Sequence, residues 1–256
     1  MYLTREDIVE VLKNMQSFES DLNTVYQSRG YDFRTNTGRR NALISVSQES
    51  ETAKILRKKF EEVIEDGAPG KPDIYIKDID TELECKLTSG SKSKGSRVYA
   101  LQTDWETLCN KGQLDYLYIV ANKEFDEFCV LFFEGLTSDD FFPPANGSRG
   151  KSRMNKTNAM QKCTCLVGDF ITHNDMNLNK INTLSMKEFD DHQKKIRILW
   201  DQYESAPPGD AKIKSMLINE QKKETLRHRK KVAELAKRAS YWNNSVKRYK
   251  FIFEKV

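Results

Sequence analysis

Lys71-Pro72-Asp73-Ile74-Tyr75-Ile76, then the polar run Lys77-Asp78-Ile79-Asp80-Thr81, then Glu82-Leu83-Glu84-Cys85-Lys86-Leu87 form the stretch that decides the fold. The two flanking runs read as β-strands, and the aspartates between them suit a turn. Side chains alternate along a strand, so Asp73 and Tyr75 share one face while Ile74 and Ile76 take the other. Glu84 and Lys86 likewise oppose Leu83, Cys85 and Leu87. A hairpin therefore brings Asp73, Glu84 and Lys86 together at one strand edge, with the apolar positions turned into a core. Two carboxylates and an ammonium at one point suit a divalent metal, a phosphate and an attacking water.

Working outward, the upstream chain supplies a helix and a further strand. Ser47 is expected to cap a helix in which Thr52, Ile55, Leu56, Lys59 and Phe60 recur at helical spacing. Val63 and Ile64 then form a short strand, and Gly67-Ala-Pro-Gly70 turns the chain into the Asp73 strand. Downstream, Val98, Leu101, Trp105, Leu108 and Cys109 mark an amphipathic helix with Gln102 beside its apolar stripe. Two strands rich in β-formers follow, from Leu114 to Ala121 and from Phe128 to Phe133. Helices alternating among strands define an α/β core around a mixed central sheet, from about residue 40 to 136.

Pro72-Asp73, followed after ten residues by Glu84-Cys85-Lys86, resembles the PD-(D/E)XK nuclease superfamily. Within it the chain looks most like a type II restriction endonuclease, over about residues 45–135. The resemblance implies a restriction-endonuclease-like core in which Asp73 and Glu84 hold one or two Mg²⁺ ions. The Cys85 backbone carbonyl would be a further metal ligand, and Lys86 would position or activate the attacking water. Members often carry another acidic residue on the helix before the Asp strand. Glu51, one turn before Ile55, is the candidate, with Glu49 as runner-up; either also suits the positive end of a helix dipole. The resemblance implies double-stranded DNA as substrate and, for a palindromic site, a two-fold homodimer. The alternatives are another nuclease of this superfamily, whether nicking, repair, junction-resolving or specific for modified DNA, and a non-enzymatic nucleic-acid-binding protein in which the three residues form only a salt-bridged strand pair.

Charge is unevenly spread. Residues 212–256 hold 14 Lys and Arg against 4 Asp and Glu, whereas residues 1–211 hold 28 against 34. A basic tail on a neutral-to-acidic body suggests a polyanionic partner. Three further basic segments are candidates for DNA contact: a loop from Gln27 to Asn41 with Arg34, Arg39 and Arg40; the flexible run carrying Lys92, Lys94 and Arg97; and the run with Arg149, Lys151 and Arg153. From Ser185 to Glu204 a helix is expected, broken by Pro207-Pro208-Gly209 and followed by a basic helix from Ala211 to about Ser240. The break divides the chain into a nuclease domain (1–206) and a basic helical C-terminal extension (207–256) for DNA binding or dimerisation.

Other chemistries find little support. The five cysteines include no CxxC pair, and the three histidines no pair at metal spacing. Gly147 to Ser152 lacks phosphate-loop spacing, so no nucleotide cofactor is expected. No apolar run reaches the roughly 20 residues of a membrane span, and a cytoplasmic location is expected.

Overall fold

The computed structural model describes residues 1–256 apart from Pro69, Gly90, Lys94, Gly95, residues 147–149, Val246 and Lys247; between residues 91 and 98 it describes the backbone alone. The chain divides into two units, residues 1–170 with 250–256, and residues 171–249.

The first unit is α/β. Two helices lead it, α1 (Arg5–Ser28) and α2 (Thr37–Leu56), with α3 (Trp105–Lys111) and the single turn α4 (Lys156–Ala159) further on. Its strands are β1 (Val63–Glu65), β2 (Ile74–Ile76), β3 (Thr81–Ser89), β4 (Ser91–Ser93), β5 (Ser96–Val98), β6 (Gln102–Asp104), β7 (Leu114–Ala121), β8 (Glu127–Leu136), β9 (Lys151–Arg153) and β10 (Cys163–Val167). At the chain's end come β11 (Asp169–Thr172), β12 (Tyr249–Ile252) and β13 (Glu254–Lys255). The main sheet runs β1-β2-β3-β7-β8-β10, and β13 also pairs with β8. Only β3 and β7 are parallel, so the sheet is mixed.

Every residue of β7 is buried, which explains its unbroken run of β-formers: both of its faces are covered. Leu83 and Cys85 of β3, with Leu117, Ile119 and Ala121 of β7, pack against Val11, Leu12, Ile44 and Leu56 of the two leading helices. Alternation sends Glu84, Lys86, Tyr116 and Tyr118 to the opposite face. The turn between β2 and β3 closes with Asp80 in the left-handed region (φ 47°), which Asp tolerates better than most residues. Its carboxylate accepts the Tyr75 hydroxyl at 2.7 Å.

Helix α1 starts with a capping box between Thr4 and Asp7. Helix α2 does not start where the sequence indicates. It begins at Thr37, capped by Asn36, ten residues before Ser47, whose hydroxyl instead bonds the Ile44 carbonyl within the helix. Its inward stripe runs Arg40, Ile44, Gln48, Thr52, Ile55. Polar residues at three of those positions hid the helical period.

That shift corrects two DNA-contact assignments. Arg40 is fully buried; its guanidinium donates to the Lys123 and Asn122 carbonyls beyond the end of β7 and to Ser89 Oγ. Arg34 forms a fork with the buried Glu19, at 2.6 and 2.8 Å. Both arginines therefore brace the fold. Arg39 remains exposed, on the first turn of α2.

The stretch expected as one helix from Val98 to Cys109 is also different. Asp104 caps α3 by accepting the Thr107 N–H, so the helix starts at Trp105 and Gln102 lies on strand β6.

The second unit is a helical hairpin, α5 (His173–Ser205) and α6 (Ala211–Asn244), joined across Pro207-Pro208-Gly209. The expected break at 206/207 lies inside this unit, because the two helices pack on each other. Ile181 and Leu235 are buried there, and Arg227 of α6 pairs with Glu188 of α5 at 2.7 Å. Among the described residues no helix is long and apolar enough to cross a membrane.

Replacing Arg40 by Ala strands the buried Asn122 carbonyl, removes the partner of the part-buried Lys123 carbonyl and opens a cavity. Denaturant unfolding should show a loss of roughly 2–4 kcal/mol. An unchanged midpoint would contradict the bracing role.

Candidate functional site

The β2–β3 hairpin carries the acidic pair, where β3 runs on past the start of β2. Ile74 pairs with Leu83 across the hairpin, a register that sets Asp73, just before β2, opposite Glu84. Asp73 Oδ2 accepts the Cys85 backbone N–H at 2.7 Å and the Lys86 ammonium at 3.2 Å. Lys86 Nζ also donates to Glu84 Oε2 at 2.5 Å. Asp73, Glu84 and Lys86 thus meet through one nitrogen. Glu84 is the most enclosed of them, its side chain 10% exposed, against 31% for Lys86.

Burial pushes the Glu84 carboxyl above its usual range; Lys86 counters that, and Asp73 adds to it. Burial also works against the Lys86 ammonium, but Glu84 and Asp73 together outweigh it and hold the group protonated, with its pKa above the ordinary lysine value. The two partners thus shift in the same direction. For Lys86 attraction wins; for Glu84 the cost of enclosing charge does.

The acidic residue that α2 contributes is Glu49. Glu51, the first candidate, points away: it accepts Asn14 at 2.7 Å and Lys54 at 2.6 Å. Residues two apart on a helix lie about 200° apart around its axis, so only one of the pair can face β3. Burial first, and the Asp73 charge second, push the Glu49 carboxyl up to about 7. The clue available in the sequence was position: Glu49 directly follows Gln48, which sits in the inward stripe.

The remaining candidates scatter. Cys85 meets the site through its backbone, while its thiol is buried in the core shared with α1 and α2. Lys151 and Arg153 lie exposed on β9, Lys151 at 3.8 Å from Asp104. Lys92 and Arg97 occupy opposed positions on β4 and β5, with side chains outside the described residues; Lys94 and Arg149 lie outside them altogether.

Sequence reasoning overlooked the two tyrosines beside the site. In the parallel register Glu84 lies next to Tyr116 and Lys86 next to Tyr118. Their rings stack at 5.7 Å between centroids. They read as ordinary strand residues, and only the register reveals their position.

Among the described residues no group of three or more His, Cys, Asp or Glu side chains stands ready-made to hold a metal ion. Lys86 fills the space between the two carboxylates. The donor set nevertheless suits a divalent cation: two carboxylate oxygens already converge on one positive charge. Comparison with protein-family models, with curated proteins and with solved structures finds no match to this chain.

The raised Glu49 pKa fixes a sign. In the metal-free protein the protonated carboxyl stabilises the fold below about 4.5, and that contribution is lost as pH rises through about 7. A ¹³C titration of Glu49 should give a midpoint near 7 that falls in Asp73→Asn. A midpoint at the ordinary glutamate value would contradict the geometry.

Proposed function

We propose that the chain is a metal-dependent endonuclease of the PD-(D/E)XK type with a restriction-endonuclease-like core. Within that class, we propose a type II enzyme that hydrolyses double-stranded DNA at a specific sequence. The observation that carries this reading is the convergence of Asp73 and Glu84 on the Lys86 ammonium at the β2–β3 hairpin of a mixed sheet. Asp73 and Glu84, with Glu49 beside them, would hold one or two Mg²⁺ ions. When bound, such an ion supplies a Lewis acid that offsets charge developing on the scissile phosphate.

The chain's own groups have separable tasks. Lys86, kept charged by its neighbours, positions the attacking water and offsets charge on the phosphate; a protonated ammonium is no base. Glu49, which lies near enough to Asp73 to feel its charge, is the carboxylate placed to accept a proton from that water. The Cys85 N–H fixes one oxygen of Asp73, which orients that carboxylate. The water oxygen forms its bond to phosphorus as the P–O3′ bond breaks; the water's proton passes to Glu49 and the departing 3′-oxygen takes a proton from solvent, leaving a 5′-phosphate and a 3′-hydroxyl.

Exposed Arg39, Lys151 and Arg153 are the described survivors of the basic candidates for holding the duplex. The α6 helix, carrying Lys222, Lys223, Arg229, Lys230, Lys237 and Arg238, adds a basic surface suited to a polyanion. A palindromic target would make the enzyme a two-fold homodimer.

Plasmid DNA incubated with the protein and Mg²⁺ should give discrete fragments. Asp73→Ala and Lys86→Ala should each lower the rate at least about 100-fold, whereas Glu51→Ala should stay within about threefold of the parent. Nicks, or cuts confined to branched or modified DNA, would assign the chain to a different nuclease of the same type. Full cleavage by both Asp73→Ala and Lys86→Ala would reduce the cluster to a salt-bridged strut.

A further inference from the structure

Strands β6 and β9 form a two-stranded antiparallel ribbon in which Gln102 faces Arg153, Thr103 faces Ser152 and Asp104 faces Lys151. Alternation splits these pairs by face. Thr103 and Ser152 are turned inward, 3% and 1% exposed. Gln102, Arg153, Asp104 and Lys151 occupy the outer face. Asp104 and Lys151 answer each other at 3.8 Å, and Asp104 is further occupied in capping α3. Among the described residues neither the Gln102 amide nor the Arg153 guanidinium has a side-chain partner. They line a cleft of about 500 Å³ together with Phe142, Asn146 and Lys151.

The ribbon is tied to the candidate site by two hydrogen bonds. Tyr116, beside Glu84 in the sheet, meets the Thr103 hydroxyl at 2.7 Å. Tyr118, beside Lys86, donates its hydroxyl to the Gln102 carbonyl at 2.9 Å. Both tyrosines are buried, so the link from the acidic edge to the ribbon is rigid.

From this juxtaposition we infer that the β6–β9 ribbon reads base edges in the DNA major groove, with Arg153 on a guanine and Gln102 on a neighbouring adenine. The inference rests on the endonuclease reading for its substrate. The major groove admits a two-stranded ribbon. A guanidinium fork matches the two acceptors of guanine, N7 and O6, and a carboxamide matches the acceptor and donor of adenine, N7 and N6. Directly opposed residues in an antiparallel pair stand about 5 Å apart, close enough to address adjacent base pairs. The buried tyrosines hold that reading face at a fixed offset from the scissile phosphate, as a defined cut position requires.

The test uses the full chain and a pool of random-sequence duplexes. Product ends formed with Mg²⁺ are sequenced, and duplexes retained by the Asp73→Ala chain with Ca²⁺ are selected and sequenced in parallel. The parent should select one target containing a G·C pair beside an A·T pair. Arg153→Lys keeps the charge but loses the fork. It should leave non-specific affinity within about twofold while relaxing the G·C position, with cutting of the original target down roughly 10- to 100-fold. Gln102→Ala should relax the neighbouring A·T position to a similar degree. An unchanged target in both variants overturns the inference, as does an Arg153→Lys defect equal on all sequences, which marks a phosphate contact. Cutting without sequence preference also overturns it, though the endonuclease reading then stands. Sequence selection that Arg153→Lys relaxes, with no cutting by the parent, upholds the ribbon and rejects the endonuclease. Neither cutting nor selection rejects both.

Discussion

Two carboxylates held at close range need a shared proton or a positive charge between them, and here Lys86 supplies the charge. Its ammonium lies 2.5 Å from Glu84 and 3.2 Å from Asp73. Much of the first unit's organisation serves that meeting. The hairpin register puts Asp73 opposite Glu84, and the Cys85 N–H fixes one Asp73 oxygen. Leu83 and Cys85, turned into the α1–α2 core, fix which face of β3 the charged residues occupy. Slipping β3 by one residue would bury Glu84 and Lys86 in that core, so the hydrophobic alternation itself protects the site.

The ammonium also makes the arrangement responsive. Glu49 is pushed up to about 7, first by burial and then by the Asp73 charge, with Lys86 acting against both. In the structure Lys86 alone balances the pair. On the proposed reading, Asp73 and Glu84 would hold a divalent ion, and the Lys86 ammonium would then be available to a phosphate. The same carboxylates that hold Lys86 protonated are the ones such an ion would share, so binding and the charge state of Lys86 are linked.

The acidic edge was legible in the sequence because it depends on local rules. Alternation along β2 and β3, and the aspartate-rich turn between them, place Asp73, Glu84 and Lys86 without any long-range information. The mixed sheet and its flanking helices followed from the order of β-rich and amphipathic runs. What escaped depends on partners distant in sequence. Arg34 and Arg40 look like free cations until Glu19 and the Asn122 and Lys123 carbonyls are seen to hold them. Glu49 and Glu51 differ only in helix phase, and the polar inward stripe of Arg40, Gln48 and Thr52 concealed that phase. Tyr116 and Tyr118 gain their place beside the site from a parallel register between strands some thirty residues apart. Gln102 changed from helix to strand because Asp104, a capping residue, starts α3 later than apolar spacing alone indicates.

The most direct measurement is anomalous diffraction from crystals of the protein with Mn²⁺ and a duplex oligonucleotide. The expected result is a manganese peak bound by Asp73 and Glu84, with Lys86 Nζ displaced from Glu84 toward a phosphate oxygen. A duplex bound elsewhere, with no metal at the hairpin and Lys86 still bridging Asp73 and Glu84, would contradict the reading of this edge as a catalytic centre.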